Sequence, residues 1–147
     1  MLKSWLCALI LIAASLGARA DGATSAPELP VSDVHAVRAT VEAQLKALAA
    51  DDAALAFSYA VPAIQSQFQD PATFAAMVRQ SYPMLIRPRS VSFYQPELRQ
   101  GIVIQAVRFR DGEGRYWRAV YQLQLQPDKR WRIGGCVVGA DDDASTT

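Results

Sequence analysis

His35 is the single histidine of the chain, and Cys136 is its single cysteine beyond residue 20. One imidazole and one distant thiol are too few for a zinc site, which takes three or four ligands. No metal or other cofactor is expected. A histidine base needs a partner and a substrate within hydrogen-bond reach. His35 falls in the first turn of a helix, beside Val34 and Val37, and its spacing leaves its facing open. Proton abstraction next to a carbonyl needs a carboxylate base and an oxyanion-stabilising donor in an apolar cavity. The strand-forming stretches hold no Asp or Glu. Asp111, Glu113 and Asp128 fall in turns, Glu97 in a loop, and Asp51 and Asp52 between helices, where capping explains them. Tyr59 and Tyr82 can donate to an oxyanion, but a donor without a base is no catalyst. Cys136 has no activating neighbour in sequence and reads as a packing residue. The sequence therefore names no catalytic residue.

The first residues set where the chain works. Lys3, an uncharged and mostly apolar run over 5–16, and Ala18-Arg19-Ala20 before Asp21 have the order of a secretory signal. The run is shorter than the ~20 residues a bilayer span needs, so no membrane span is expected. Cleavage after Ala20 leaves 127 residues, exported to the periplasm or the extracellular space. That is one domain, long enough to bury a core without a staple. Cys7 leaves with the signal, and its place early in the apolar run is wrong for a lipoprotein. Charge is uneven along what remains. Residues 21–78 hold 2 basic and 7 acidic side chains, and residues 79–132 hold 11 basic and 4 acidic. A basic half can meet anionic ligands or an acidic partner. The plainer reading is two halves of one domain that neutralise each other. Nucleic acid is a poor match to an exported chain.

These residues must be positioned by a short list of elements. Residues 21–31, rich in Ala, Gly, Ser and Pro, read as a flexible leader. Ser32 or Asp33 can cap a helix whose stripe is Val34, Val37, Val41, Leu45 and Leu48. Asp51 and Asp52 break it and can cap a second, shorter helix that stops before Pro62. Asp70-Pro71 starts a third, with Phe74, Met77 and Val78 as its stripe, ending near Tyr82-Pro83. After Pro88 the period falls to two. Strands are expected over 91–94, over 98–110 with a bend at Gly101, over 115–126, and over 131–138. Helices first and an antiparallel meander after is α+β order: three helices on one face of a curved four-stranded sheet. The domain spans 32–139, and residues 140–147 read as a disordered acidic tail.

Closing the central hairpin on residues 111–114 sets Ile102 opposite Leu123, Ile104 opposite Tyr121, Ala106 opposite Ala119 and Arg108 opposite Trp117. Those residues form one apolar face, expected to pack on the helices. Arg108 and Arg110 extend it towards the hairpin tip. A guanidinium over the Trp117 indole at a pocket mouth suits an anionic ligand with an apolar body. The alternative is an arginine lying along the sheet edge, paired with an acidic helix residue. The ligand-pocket candidates are Arg108, Arg110, Trp117, Tyr121, Tyr59 and Tyr82. The other face, with Val107, Phe109, Tyr116 and Arg118, is half apolar, and is a candidate homodimer face. If Trp131, Ile133 and Val137 point to the core, Cys136 lies on that outer face too, where an interchain disulfide is conceivable. Gly134 and Gly135 read as a bulge or a close helix contact rather than a phosphate loop, since no helix follows them.

Three helices before a curved antiparallel sheet resemble the nuclear transport factor 2-like cone, which ketosteroid isomerases share with many binding proteins. Three stretches further resemble the bacterial family called domain of unknown function 4864. They are Asp51-Asp52 followed by Ala56-Phe57; Phe74 and Met77-Val78 leading to Tyr82-Pro83; and Trp131-Arg132-Ile133-Gly134-Gly135-Cys136. The resemblance implies the cone fold and its boundaries and lends no catalytic residue, since a fold does not decide a function. The expectation is an exported binding domain, taking a small apolar or anionic molecule in the cone or a protein partner at the sheet. The alternative is a small cone enzyme, of isomerase or lyase type, on a hydrophobic substrate.

Overall fold

The computed structural model describes residues 27–142. The signal over 1–20, most of the leader, and residues 143–147 of the tail lie outside the described residues. Helix α1 (Val31–Ala49) buries Val37, Val41, Leu45 and Leu48, the stripe its spacing predicts. Its start is Pro30 rather than a side-chain cap, so Ser32 and Asp33 stand inside the first turn. His35 is exposed. The helix ends where Asp51 takes a left-handed backbone (φ 56). Asp51 N donates to Leu48 O at 3.2 Å and Asp52 N to Ala47 O at 2.9 Å, which satisfies the last carbonyls. The Asp52 carboxylate then caps α2 (Ala53–Ser58) by accepting from Leu55 N.

A helix absent from the expectation follows. Pro62 stops α2 and also opens α3 (Pro62–Phe68), because a proline is as well placed at a first helical position as after a last one. Asp70 caps α4 (Pro71–Ser81) through Thr73 N at 2.8 Å and Thr73 Oγ1 at 2.9 Å, and these bonds lower its pKa. A single 3₁₀ turn, Pro83–Leu85, leads to the sheet.

The sheet has five strands rather than four: β1 (Ser90–Phe93), β2 (Glu97–Arg99), β3 (Ile102–Arg110), β4 (Tyr116–Leu125) and β5 (Trp131–Ala140), all antiparallel. The expected bend at Gly101 is a two-residue hairpin. Gln100 (φ 51) and Gly101 (φ 79) both have positive φ, and Arg99 faces Ile102. Strands β1 and β2 share the same edge of β3. Where that edge breaks, the buried Gln105 amide donates to Tyr94 O at 2.7 Å.

The central hairpin corrects the expected register. Asp111 N donates to Arg115 O and Gly114 N to Asp111 O, with Gly114 at φ 83. The loop therefore has three residues, ending in a left-handed glycine, where a four-residue loop was expected. Tyr121 faces Gln105, Ala119 faces Val107, and Trp117 faces Phe109. A slip of one residue turns β3 over and leaves β4 as expected. Val107 and Phe109, assigned above to the dimer face, are 0% exposed and belong to the core with Val103, Tyr121 and Leu123. Arg108 and Arg110 stand on the outer face instead.

A second parity change lies in β5. Leu123 pairs with Ile133 but Gln122 with Gly135, so Gly134 is the extra residue of a bulge, as the glycine pair suggested. Beyond it the facing inverts. Cys136 and Val138 pack on the core, and Val137 is 70% exposed. The outer-face assignment of Cys136, and the interchain disulfide with it, fall. Strand β5 also runs to Ala140, and Asp141 behind it is buried, so the chain is ordered two residues past the expected tail boundary. At the other end Leu29, in the expected leader, packs into the core.

Candidate functional site

Two apolar clusters meet at Tyr82: one between α1 and the sheet, the other among α1, α2 and α4. Between them lies a cavity of about 340 Å³. Its walls are Gln44 and Leu48 of α1, Ile64 and Phe68 of α3, Phe74, Met77 and Val78 of α4, Tyr82, Leu85, Tyr121 of β4 and Ile133 to Cys136 of β5. Its position follows from backbone bonds at the sheet edge. Ile133 N donates to Tyr59 O at 2.8 Å and Val61 N to Ile133 O at 2.9 Å, which ties the α2–α3 link to β5 just before the bulge. Helix α3 is thereby held over the bulge. Phe68 packs edge-on against Phe74 with ring centres 5.7 Å apart, closing the α3 side.

The polar groups of this cavity are few and uncharged. Gln44 Nε2 donates to Ala56 O at 3.2 Å. Tyr121 is 1% exposed, and its hydroxyl has no well-formed hydrogen bond among the described residues. The Cys136 thiol, its direct cross-strand neighbour, is a weak partner at best. Burial pushes the Tyr121 hydroxyl well above its ordinary pKa, and the neighbouring thiol adds to the rise. Burial likewise pushes Cys136 up to about 12, against the opposing effect of the Tyr121 hydroxyl. Both groups are neutral donors at any physiological pH, so Cys136 is no thiolate nucleophile there. Among the described residues, no Asp, Glu, His, Lys or Arg lines the cavity.

The structure brings together only two of the six pocket candidates, Tyr82 and Tyr121. Tyr59 lies across β5 in a separate groove with Thr40, Lys129 and Trp131. Trp117 Nε1 donates to Asp111 Oδ2 at 2.9 Å at the hairpin tip. Arg108 and Arg110 stack over Tyr116 on the outer face, 4.2 and 5.5 Å from its ring centre. The expected Arg108–Trp117 pocket mouth does not form, because the one-residue slip puts them on opposite faces. Sequence reasoning took Phe74, Met77 and Val78 as core only, and missed Ile64 and Phe68 with α3. The signal available for them was Pro62 itself, after Val61 and eight residues ahead of Asp70.

Two carboxylates that the sequence left in a turn and a tail are anchors. Asp111 accepts from Glu113 N, Arg115 N, Arg115 Nε and Trp117 Nε1, all between 2.9 and 3.0 Å. The Trp117 bond, helped by the others and opposed by burial, lowers its pKa to about 2. On the outer face Arg108 stands directly opposite Arg118, an unfavourable like-charge pair. Asp141 sits between them, its two oxygens 3.2 Å from Arg108 Nε and 3.2 Å from an Arg118 terminal nitrogen.

Among the described residues there is no cluster of three His, Cys, Asp or Glu side chains fit for a metal, and no helix long and apolar enough to cross a membrane. Four helices on one face of a five-stranded antiparallel sheet, with a cavity between the layers, fit the α+β cone fold. A crystal structure of an NTF-2 like protein of unknown function from Silicibacter pomeroyi is similar to this chain at a TM-score of 0.52 and 17% identity, covering 76% of this chain and 99% of the other. The family described as "Domain of unknown function (DUF4864)" matches residues 31–146, and the chain belongs to it. No curated protein matches the chain.

Proposed function

We propose that the chain is an exported binding domain that holds a small apolar molecule in the cavity between α3, α4 and the bulge of β5. The observation that carries this reading is the cavity itself: about 340 Å³, walled by Leu48, Ile64, Phe68, Phe74, Val78 and Ile133. A few convergent polar groups in an apolar cavity are the composition of a ligand site. The absence of any carboxylate or imidazole from its walls favours binding over proton abstraction. Export rests on Lys3, the apolar run and the small residues before Asp21. The anionic ligand drops out, because the arginines that would meet it stand on the other side of the sheet. Native mass spectrometry of the chain exported under its own signal tests the reading. Folded protein carrying extra mass, lost in a Met77→Trp variant that fills the cavity, supports it. A bare mass with no uptake of small apolar compounds refutes it.

A second reading concerns the outer face. Ile104, Ala106, Val120 and Val137 form an apolar centre there, flanked by Tyr94, Tyr116 and the two paired arginines. We propose that a second copy covers it, with Tyr116 and Arg118 retained from the expected face and Val120 and Val137 replacing Val107 and Phe109. Light scattering of wild type and Val137→Glu tests this: a dimer that the glutamate splits supports it, and a monomeric wild type refutes it.

A further inference from the structure

We infer that the cavity selects an uncharged ligand carrying a hydrogen-bond acceptor, such as a ketone, ester or lactone, with Tyr121 Oη as the donor that receives it. The inference rests on the cavity reading above and adds the ligand's chemistry. An aromatic hydroxyl whose nearest partner is a weakly accepting thiol is costly to bury, so a carbonyl partner supplied on binding is worth about three- to tenfold in affinity. Tyr121 is among the residues that line the cavity, so a ligand held there is a neighbour of this side chain. The hydroxyl is covered in the unliganded chain. Met77 borders the same cavity, and its unbranched side chain can swing aside to admit an acceptor. Cys136, across the ladder, is a second neutral donor within the same wall.

The walls also say what is refused. A carboxylate would enter a site with no cation to meet it, among Leu48, Phe74, Val78 and Leu85. Tyr121 and Cys136 offer hydrogen bonds but no counter-charge, since each is held neutral. An ionised ligand loses its hydration and gains no counter-charge. At the volume a water takes in the liquid, ~30 Å³, the cavity has room for about ten non-hydrogen atoms.

Three probes of that size separate the possibilities: acetophenone, with a ring and an acceptor; ethylbenzene, with the ring alone; and benzoate, with the ring and a charge. Each is titrated into the full chain, wild type and Tyr121→Phe, with the amide signals of Gly134 and Gly135 reporting occupancy of the cavity. The expected result is benzoate weaker than both uncharged probes, and a Tyr121→Phe change that weakens acetophenone about three- to tenfold while leaving ethylbenzene unchanged. No loss of acetophenone affinity in Tyr121→Phe, an equal loss for both uncharged probes, or benzoate binding as well as acetophenone overturns the inference and leaves the cavity reading intact. Absence of shifts at Gly134 and Gly135 with every probe overturns both.

Discussion

Replacing Asp141 by Asn should destabilise the domain more than its place near the chain end suggests. The side chain is 4% exposed and stands 3.2 Å from each of two guanidinium groups that the β3–β4 register sets face to face. At an effective dielectric near 20 each contact is worth ~5 kcal/mol before desolvation. The arginines are 31% and 43% exposed, so solvent screens much of that. Burying the carboxylate costs most of the remainder. Removing the charge leaves Arg108 and Arg118 repelling across one rung, and the net loss is ~2–3 kcal/mol, or ~10 °C in Tm for a domain of this size. Thermal melts at low and high salt are the assay. The variant should regain part of its loss in salt, which screens the arginine pair. It should also regain part through a second change, Arg118→Gln, that removes the repulsion. A chain ending at Ala140 should lose as much as Asp141→Asn. A loss below ~1 kcal/mol, or a second change that adds to the first rather than relieving it, refutes the reasoning.

The Asp111 carboxylate should set the acid limb of stability. Its folded pKa, about 2, is below the ordinary value, so its contribution is complete above about 4 and is lost as pH falls towards 2. Melts of Asp111→Asn across that range should be flatter than wild type, and an equal slope counts against the hub. Gly114→Ala places a Cβ on a residue at φ 83, which should cost ~1–2 kcal/mol by urea titration, because the three-residue loop needs a left-handed last residue. Cys136, half-buried in a cavity wall and held as a thiol, should alkylate at pH 8 more slowly than an exposed cysteine; labelling at the rate of a free thiol refutes its inward facing. Tyr121→Phe removes a buried hydroxyl whose partner is only a thiol and should leave Tm within a few degrees of wild type in the ligand-free chain; a larger loss refutes the weak pairing.

Different parts of the molecule are legible in the sequence to different degrees. Periodicity carried the helices that bury one stripe: Val37, Val41, Leu45 and Leu48 are inside because spacing alone puts them on one face. The caps Asp52 and Asp70 were legible because a side chain three residues from its partner amide is a local event. What failed was parity. In a strand the facing of every residue depends on a count of residues in a loop, and the count was off by one at Gly114. The composition gave no warning, because Ile102, Ile104 and Ala106 are as apolar as the Val103, Val107 and Phe109 that replaced them in the core. Only Gln105 looked wrong for the interior, and it is there to serve the carbonyl of Tyr94 where the edge strand breaks. No pattern within β3 announces a break in β1. The same count governed Cys136, whose facing the Gly134 bulge inverts. The candidate site was therefore less legible than the fold, for a physical reason. The cavity is built where regularity stops: at a bulge, at a short helix opened by a bare proline, and at a buried hydroxyl with only a thiol beside it. Each is an exception to a rule from which sequence reasoning starts, and the exceptions meet around Tyr121.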